Sequence, residues 1–256
     1  MTGTSSIQDR LPIAGAGFVW EAFEEALVLR PDSDAVHAAF TTRVGGASSG
    51  PFASWNVSFA VGDERECVIA NRELANRAIG RAGASSWGRI KQVHSDRVLR
   101  ASDGEQLREA DGVWTDERDR VVGVNGGDCL PILLVGDRRI AAAHAGWRGL
   151  VAGIVEAAVR AVEPAQVWIG PGIGPCCYEV DSERADLIRA RFGPDAARGR
   201  FADLWFAAEF AASTAGVPLV RSSRLCTSCH DDLFFSHRRD RGRTGRQALV
   251  ARLADV

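Results

Sequence analysis

One stretch constrains the fold more than any other: "VNGGDCLPILLVGDRRIAAAHAGWRG", residues 124–149. Two short apolar runs, PILLV and RRIAAA, flank Gly136-Asp137. They read as strands, and a glycine followed by aspartate suits a two-residue type II′ hairpin. In that register Val135 faces Arg138 and Cys129 faces His144. Directly opposed residues have Cβ atoms about 4.5–5.5 Å apart on one face, so thiol and imidazole should touch. A slip by one residue would send one of them to the other face. Two readings stand side by side: a buried cysteine packed beside a histidine, or a pair that does chemistry.

The rest of the chain frames this hairpin. Its 256 residues, 46% hydrophobic, can bury a substantial core as one large domain or two small ones. Residues 1–17, rich in Gly, Ser and Thr, read as a flexible lead-in, and residues 18–256 as the folded part. "HAAFTT" (37–42) reads as a strand entering the glycine turn "RVGGASSG". Residues 63–80 read as a helix, with Asp63 and Glu66 spaced like a capping box and Gly80 as its stop. Strand-like pieces follow at 89–94, 97–101, 112–115 and 121–125. Beyond His144, Leu150, Ile154, Ala158 and Ala161 recur at helical spacing. "QVWIG" is a strand, 182–192 and 203–215 are helices, and "ALVARL" is a closing strand. Strands and helices that do not strictly alternate indicate a mixed α+β fold.

Charge and patterning exclude several function classes. The formal net charge of −2 supplies no global basic field for nucleic acid. The first thirty residues lack a signal pattern, and no apolar run approaches membrane-spanning length. A cytoplasmic protein without a membrane or nucleic-acid partner is expected. In a reducing compartment the six cysteines would be free, metal-bound or catalytic.

Five histidines are present, and His94 ends a strand in "IKQVHSDRV". If it converges on the hairpin pair, His94, Cys129 and His144 make a tripod with a fourth position open, the pattern of a catalytic zinc site. Asp128 would serve as a hydrogen-bond partner to a metal-binding side chain or as a base. A helix starting near Trp147, with Arg148 in its first turn, could hold an anion beside the metal. "CTSCH" (226–230) matches a c-type haem attachment pattern, but the lone methionine is Met1 and no export signal is present, so no haem is expected. Vicinal Cys176-Cys177 makes a poor second pair for a zinc ribbon. These cysteines, with Cys226 and Cys229, read as structural thiols near the site's rim. The arginine-rich run 238–246 reads as a solvated turn with a few substrate contacts.

The motifs "FTTRVGGASSGPFASWNVSFAVGD", "KQVHSDRV", "ADGVWTD", "GDCLPILL", "AAAHAGWRGL", "WIGPGIGPCCYEV" and "CTSCHDDLFFSHRRDRGRTGR" occur in order. With them the chain strongly resembles the YfiH family, long labelled laccase-domain or multicopper polyphenol oxidase proteins. Members are also described as purine nucleoside phosphorylases with adenosine deaminase activity and as a peptidoglycan editing factor. The resemblance implies a single four-layer α/β/β/α domain similar to the catalytic domain of cytotoxic necrotizing factor toxins. It implies a metal, usually zinc, on His94, Cys129 and His144. The chain departs from the family at Gly127, at Ala60, where His is frequent, and at His237, where Tyr is frequent.

The laccase label fails on arithmetic, because four coppers need more histidines than these five. A single copper on His₂Cys is possible but lacks an axial methionine other than Met1. The leading reading is zinc-assisted chemistry on purine nucleosides with phosphate. Its catalytic residues are His94, Cys129, His144 and Asp128, and its substrate residues are Arg43, Arg148 and Asn56. The alternative is a Cys–His amide hydrolase editing peptidoglycan precursors, with Cys129 as nucleophile and His144 as base. A structural zinc protein is the third reading, disfavoured by the open site.

Overall fold

The structure, a computed structural model, describes residues 11–83, 87–102 and 107–255. Residues 1–10 of the lead-in lie outside that range. Within its remainder, Leu11 and Ala14 pack on the inner core, and the Gly15 N–H donates to the Ser223 carbonyl at 2.9 Å.

Fifteen strands and five α-helices are present among the described residues. The strands in chain order are β1 (Phe18–Phe23), β2 (Ala26–Pro31), β3 (Val36–Thr41), β4 (Ile90–Lys91), β5 (Val98–Arg100), β6 (Arg108–Glu109), β7 (Gly112–Thr115) and β8 (Val122–Gly126). They continue with β9 (Leu130–Val135), β10 (Ile140–Ala145), β11 (Gln166–Ile169), β12 (Ala197–Arg198), β13 (Phe201–Ala202), β14 (Leu219–Ser222) and β15 (Gln247–Leu253). The helices are α1 (Arg65–Ala78), α2 (Trp147–Ala152), α3 (Ile154–Val162), α4 (Ser182–Phe192) and α5 (Leu204–Thr214). One sheet has the order β1-β2-β3-β15-β8, the other β14-β11-β9-β10-β7-β5. The mixed character lies in the second, where β11–β14 and β5–β7 are parallel and the rest antiparallel.

Side-chain alternation along the strands builds the layers. Leu133, Val135, Ile140 and Ala142 meet Leu29, Phe40, Val124 and Leu249 of the other sheet in one core. Their alternates Ile132, Leu134, Ala141 and Ala143 join Leu150, Ile154, Ala158 and Ala208 of the helices in a second core. On the far side, Val28, Ala39 and Val250 pack under Leu74 and Ala75 of α1. The result is helix, sheet, sheet, helix. β9 and β10 are buried along their whole length because both of their faces are covered.

Three local expectations change. The hairpin pairs Val135 with Ile140 and His144 with Pro131, so the register is shifted by two residues. Gly136 donates to the Arg139 carbonyl at 2.9 Å, which puts Asp137 and Arg138, not Gly136 and Asp137, at the tip. Extending the apolar pairing by Ile140 outweighs the turn preference of glycine. The helix beyond His144 breaks at Gly153, whose φ of 103° ends α2 and begins α3. The capping box of α1 does not form: Glu64 is the N-cap, without a side-chain cap. Asp63 instead accepts from Ser48 Oγ at 2.6 Å and Asn56 Nδ2 at 2.8 Å, pinning the glycine turn.

Candidate active site

A shift of two residues keeps every side chain on its face, so Cys129 and His144 remain diagonal neighbours rather than opposed ones. Cys129 sits just before β9, where the chain passes from β8 in one sheet to β9 in the other. Asp128 makes that turn at φ 100°. His94 follows β4 at φ 62°. Gln92 ties this loop to β8, donating to the Asn125 carbonyl and accepting from the Asn125 N–H, both at 2.9 Å. The donor atoms of His94, Cys129 and His144 lie within 4.8 Å of one another. Cys129 Sγ is 3.8 Å from His94 Nε2, and the two imidazole rings meet edge-to-face at 4.9 Å.

The group that organises this triad is Asp111, which is fully buried. Its carboxylate accepts from the N–H groups of Val93, His94 and Ser95 at 3.1, 2.9 and 2.6 Å, and from Ser95 Oγ at 2.8 Å. Its Oδ1 also meets His144 Nδ1 at 2.9 Å, leaving Nε2 to face Cys129. One carboxylate therefore holds the strained His94 loop and orients His144. Burial works to raise Asp111, but the bonds from His144 and Ser95 win and hold it well below the usual carboxylate range. Burial also opposes charge on Cys129 and His144, but each favours charge on the other. The thiol comes down to about 6 through His144 and His94. The imidazole goes up to about 9 through Cys129 and Asp111. Gly146 supplies the room: a Cβ there would lie 2.9 Å from Cys129 Sγ and 3.0 Å from the His94 ring.

The triad opens on a cavity of about 1120 Å³. Seven of the side chains lining it are cationic (Arg65, Arg72, Arg89, Lys91, Arg148, Arg238, Arg246) against one acid, Asp128. Burial lowers Arg72 to about 10, still a cation at neutral pH. Arg148 lies over the Trp147 ring at 5.0 Å. Tyr178, pushed up to about 12 chiefly by burial, stays a phenol and also faces the cavity.

The chain matches the family profile described as multi-copper polyphenol oxidoreductase laccase over residues 37–254. It is 39% identical over 246 residues to a Pseudomonas aeruginosa protein named purine nucleoside phosphorylase PA4543, covering 89% of this chain and 98% of that one. It is 34% identical over 232 residues to Escherichia coli purine nucleoside phosphorylase YfiH, covering 85% and 94%. The crystal structure of YlmD from Geobacillus stearothermophilus superposes with a TM-score of 0.80 at 32% identity, covering 93% and 100%. The chain belongs to the YfiH family.

The YfiH-family motifs converge on this site, with His94 from "KQVH", Asp111 from "ADGVW", Cys129 from "GDCLP" and His144 with Gly146 from "HAGW". The fold also places the other residues named from sequence. Asp128 is not the carboxylate on His144; it accepts from Thr227 Oγ1 at 2.7 Å and the Arg238 N–H at 2.6 Å, which fix the turn before Cys129. Arg43 does not line the cavity, because its guanidinium is bound to the carbonyls of Ala53 and Asp231. Asn56 is fully buried and bonds Ser58, Asp63 and the Arg246 N–H. Arg148 does line the cavity, as do Ala60, Gly127 and His237, the three positions read from sequence as departures from the family pattern. Arg238 and Arg246 of the arginine-rich turn also line the cavity. No helix among the described residues is long and apolar enough to cross a membrane.

Proposed function

We propose that this chain is a zinc-dependent purine nucleoside enzyme. Residues 18–256 act as one catalytic domain that cleaves adenosine- and inosine-type nucleosides with phosphate and deaminates adenosine. The observation that carries this reading is a His, Cys, His donor set on the wall of a basic cavity large enough for a nucleoside and an anion. The relatives named purine nucleoside phosphorylases support it.

The donor set fits zinc. Tetrahedral zinc with Zn–S of 2.3 Å and Zn–N of 2.0–2.1 Å places sulfur and nitrogen about 3.5 Å apart, close to the 3.8 Å between Cys129 and His94. His94, Cys129 and His144 would hold the ion, which supplies Lewis acidity and a water activated near neutral pH. Asp111 fixes the His144 tautomer, with Nδ1 occupied and Nε2 directed at the site. The cations around Arg148 hold the phosphate. In phosphorolysis a phosphate oxygen bonds to the ribose anomeric carbon as the bond to the purine nitrogen breaks, its electron pair leaving with the base. In deamination water adds at purine C6 and ammonia departs.

The Cys129–His144 pair favours a second reading. A thiol near 6 beside an imidazole near 9 is the charge state of a Cys–His nucleophile pair, suited to amide hydrolysis of a peptidoglycan precursor. Metal content separates the two readings, since zinc occupies the thiolate. Purified protein would be assayed for adenosine and inosine turnover with and without phosphate, before chelation, after it, and after zinc return. Loss on stripping and recovery with zinc is expected. Full turnover by metal-free enzyme would overturn the zinc reading and promote the hydrolase.

A further inference from the structure

Five of the six cysteines take no part in the triad, and all of these but Cys67 lie in two neighbouring loops. Cys176 and Cys177 lie in the loop after β11, and Cys226 and Cys229 in the loop after β14. These strands are parallel neighbours, Ile169 beside Ser222, so both loops leave the same end of the sheet together. The fold brings the four sulfurs within 4.8 Å of one another. Cys229 Sγ is 3.4 Å from Cys176 Sγ and 3.5 Å from Cys177 Sγ. Cys226 is buried and its sulfur accepts the Gly174 N–H at 3.3 Å. A Cβ on Gly174 would stand 2.6 Å from the Trp205 ring and 3.2 Å from the Cys176 sulfur, so glycine lets the loop approach this closely.

The vicinal pair had counted against a metal site, because a zinc ribbon presents two spaced pairs. Here the turn at Gly174–Cys177 aims both vicinal sulfurs toward the C-x-x-C loop. A tetrahedral ion 2.3 Å from four sulfurs sets them about 3.8 Å apart, so the observed spacing needs only small side-chain adjustments. Four sulfurs with no position left over is the composition of a closed structural site. We propose that Cys176, Cys177, Cys226 and Cys229 form a second metal centre, a tetrathiolate zinc site separate from the His94–Cys129–His144 site. As four S–Zn bonds form, the thiol protons pass to solvent, with no change of oxidation state.

The location gives the ion a task. Thr227, between two of the ligands, donates its hydroxyl to Asp128. The Ile173 N–H donates to the Asp128 carbonyl at 2.8 Å, and Tyr178, which follows Cys177, lines the cavity. Zinc at the cluster clamps both loops against the turn that carries Cys129. It is a positioning device for the first site.

The test uses full-length protein purified in reductant, with zinc and then cobalt as probes. A His94→Ala/Cys129→Ala variant should retain one zinc per chain, and its cobalt form should show the intense absorption of a tetrathiolate centre. A Cys176→Ser/Cys229→Ser variant, changed at two exposed positions, should lose that absorption while keeping one zinc at the first site. Its amide exchange should quicken at 171–178 and 225–230 and stay unchanged in α1. If the first variant binds no metal under reductant, binds iron with sulfide instead, or shows Cys229 in a disulfide, the proposal is overturned. Tetrathiolate absorption surviving in the second variant would also overturn it. Should the second variant fail to fold, the stoichiometry of the first decides alone. Failure of the nucleoside reading would leave these outcomes unchanged, since none depends on turnover.

Discussion

Gly146 and Asp111 shape the site without being offered as ligands, so their removal tests the architecture. Gly146 has φ −81° and ψ 170°, a conformation alanine adopts without strain. The cost of Gly146→Ala is therefore steric and falls on Cys129 and His94. We expect it to fold normally by circular dichroism and to lose most of its zinc at the first site. Asp111→Asn leaves the His94 loop and His144 with a weaker partner. Loss of such an outer partner lowers metal affinity or activity by about 10–100-fold, measurable by competition with a chromophoric chelator. Unchanged affinity would show that Asp111 only supports the fold. The thiol itself is tested by alkylation of chelator-treated protein, read at the Cys129 peptide. Because its pKa is brought down to about 6, its rate should reach half-maximum near that pH, against about 8.5 for an ordinary thiol. Zinc should protect it.

At the scale of elements, what was legible in the sequence followed from periodicity. β3, β7, β8, β9, β11, α4 and α5 fall close to their expected bounds because each carries its apolar residues at strand or helical spacing. The hairpin register was misplaced by two residues, yet the triad survived, because strand pairing preserves faces under even shifts. Asp111 stayed hidden, since its partners sit 16 to 33 residues away and no local spacing marks them. Arg43 and Asn56 sit beside the glycine turn, where Arg43 bonds the Ala53 and Asp231 carbonyls and Asn56 bonds Asp63 and backbone groups. The four-cysteine cluster escaped because its halves lie about fifty residues apart and meet only through the parallel pairing of β11 with β14. The break between α2 and α3 has its own test. Gly153 is left-handed, and its N–H caps α2 at Gly149 and Leu150. In Gly153→Ala the new Cβ meets no clash, its nearest neighbour being Glu156 Oε2 in ordinary van der Waals contact at 3.5 Å. Its penalty is thus conformational, roughly 1–2 kcal/mol, read as a lowered midpoint in urea unfolding. A neutral substitution would mean that the break can shift along the helix.

The whole molecule carries a formal charge of −2, yet its main cavity gathers seven cations against one acid. That contrast makes the cavity an attractor for anions while the rest of the surface stays mildly acidic. Several of these cations are held in place: Lys91 pairs with Glu109, Arg72 donates to the Val57 carbonyl, and Arg238 donates to the Glu179 carbonyl. Arg148 meets no carboxylate among the described residues and stacks on Trp147, so its charge is available to a ligand. If the cavity takes phosphate beside a neutral nucleoside, the two substrates must respond differently to salt. The screening length shortens from about 30 Å at 0.01 M to about 10 Å at 0.1 M. Across that range KM for phosphate should rise several-fold and KM for inosine should barely move. Arg148→Ala should raise KM for phosphate and flatten its salt dependence, with kcat less affected. Equal salt responses for both substrates, or an Arg148→Ala enzyme with unaltered phosphate KM, would show that the basic wall serves something other than the phosphate of phosphorolysis.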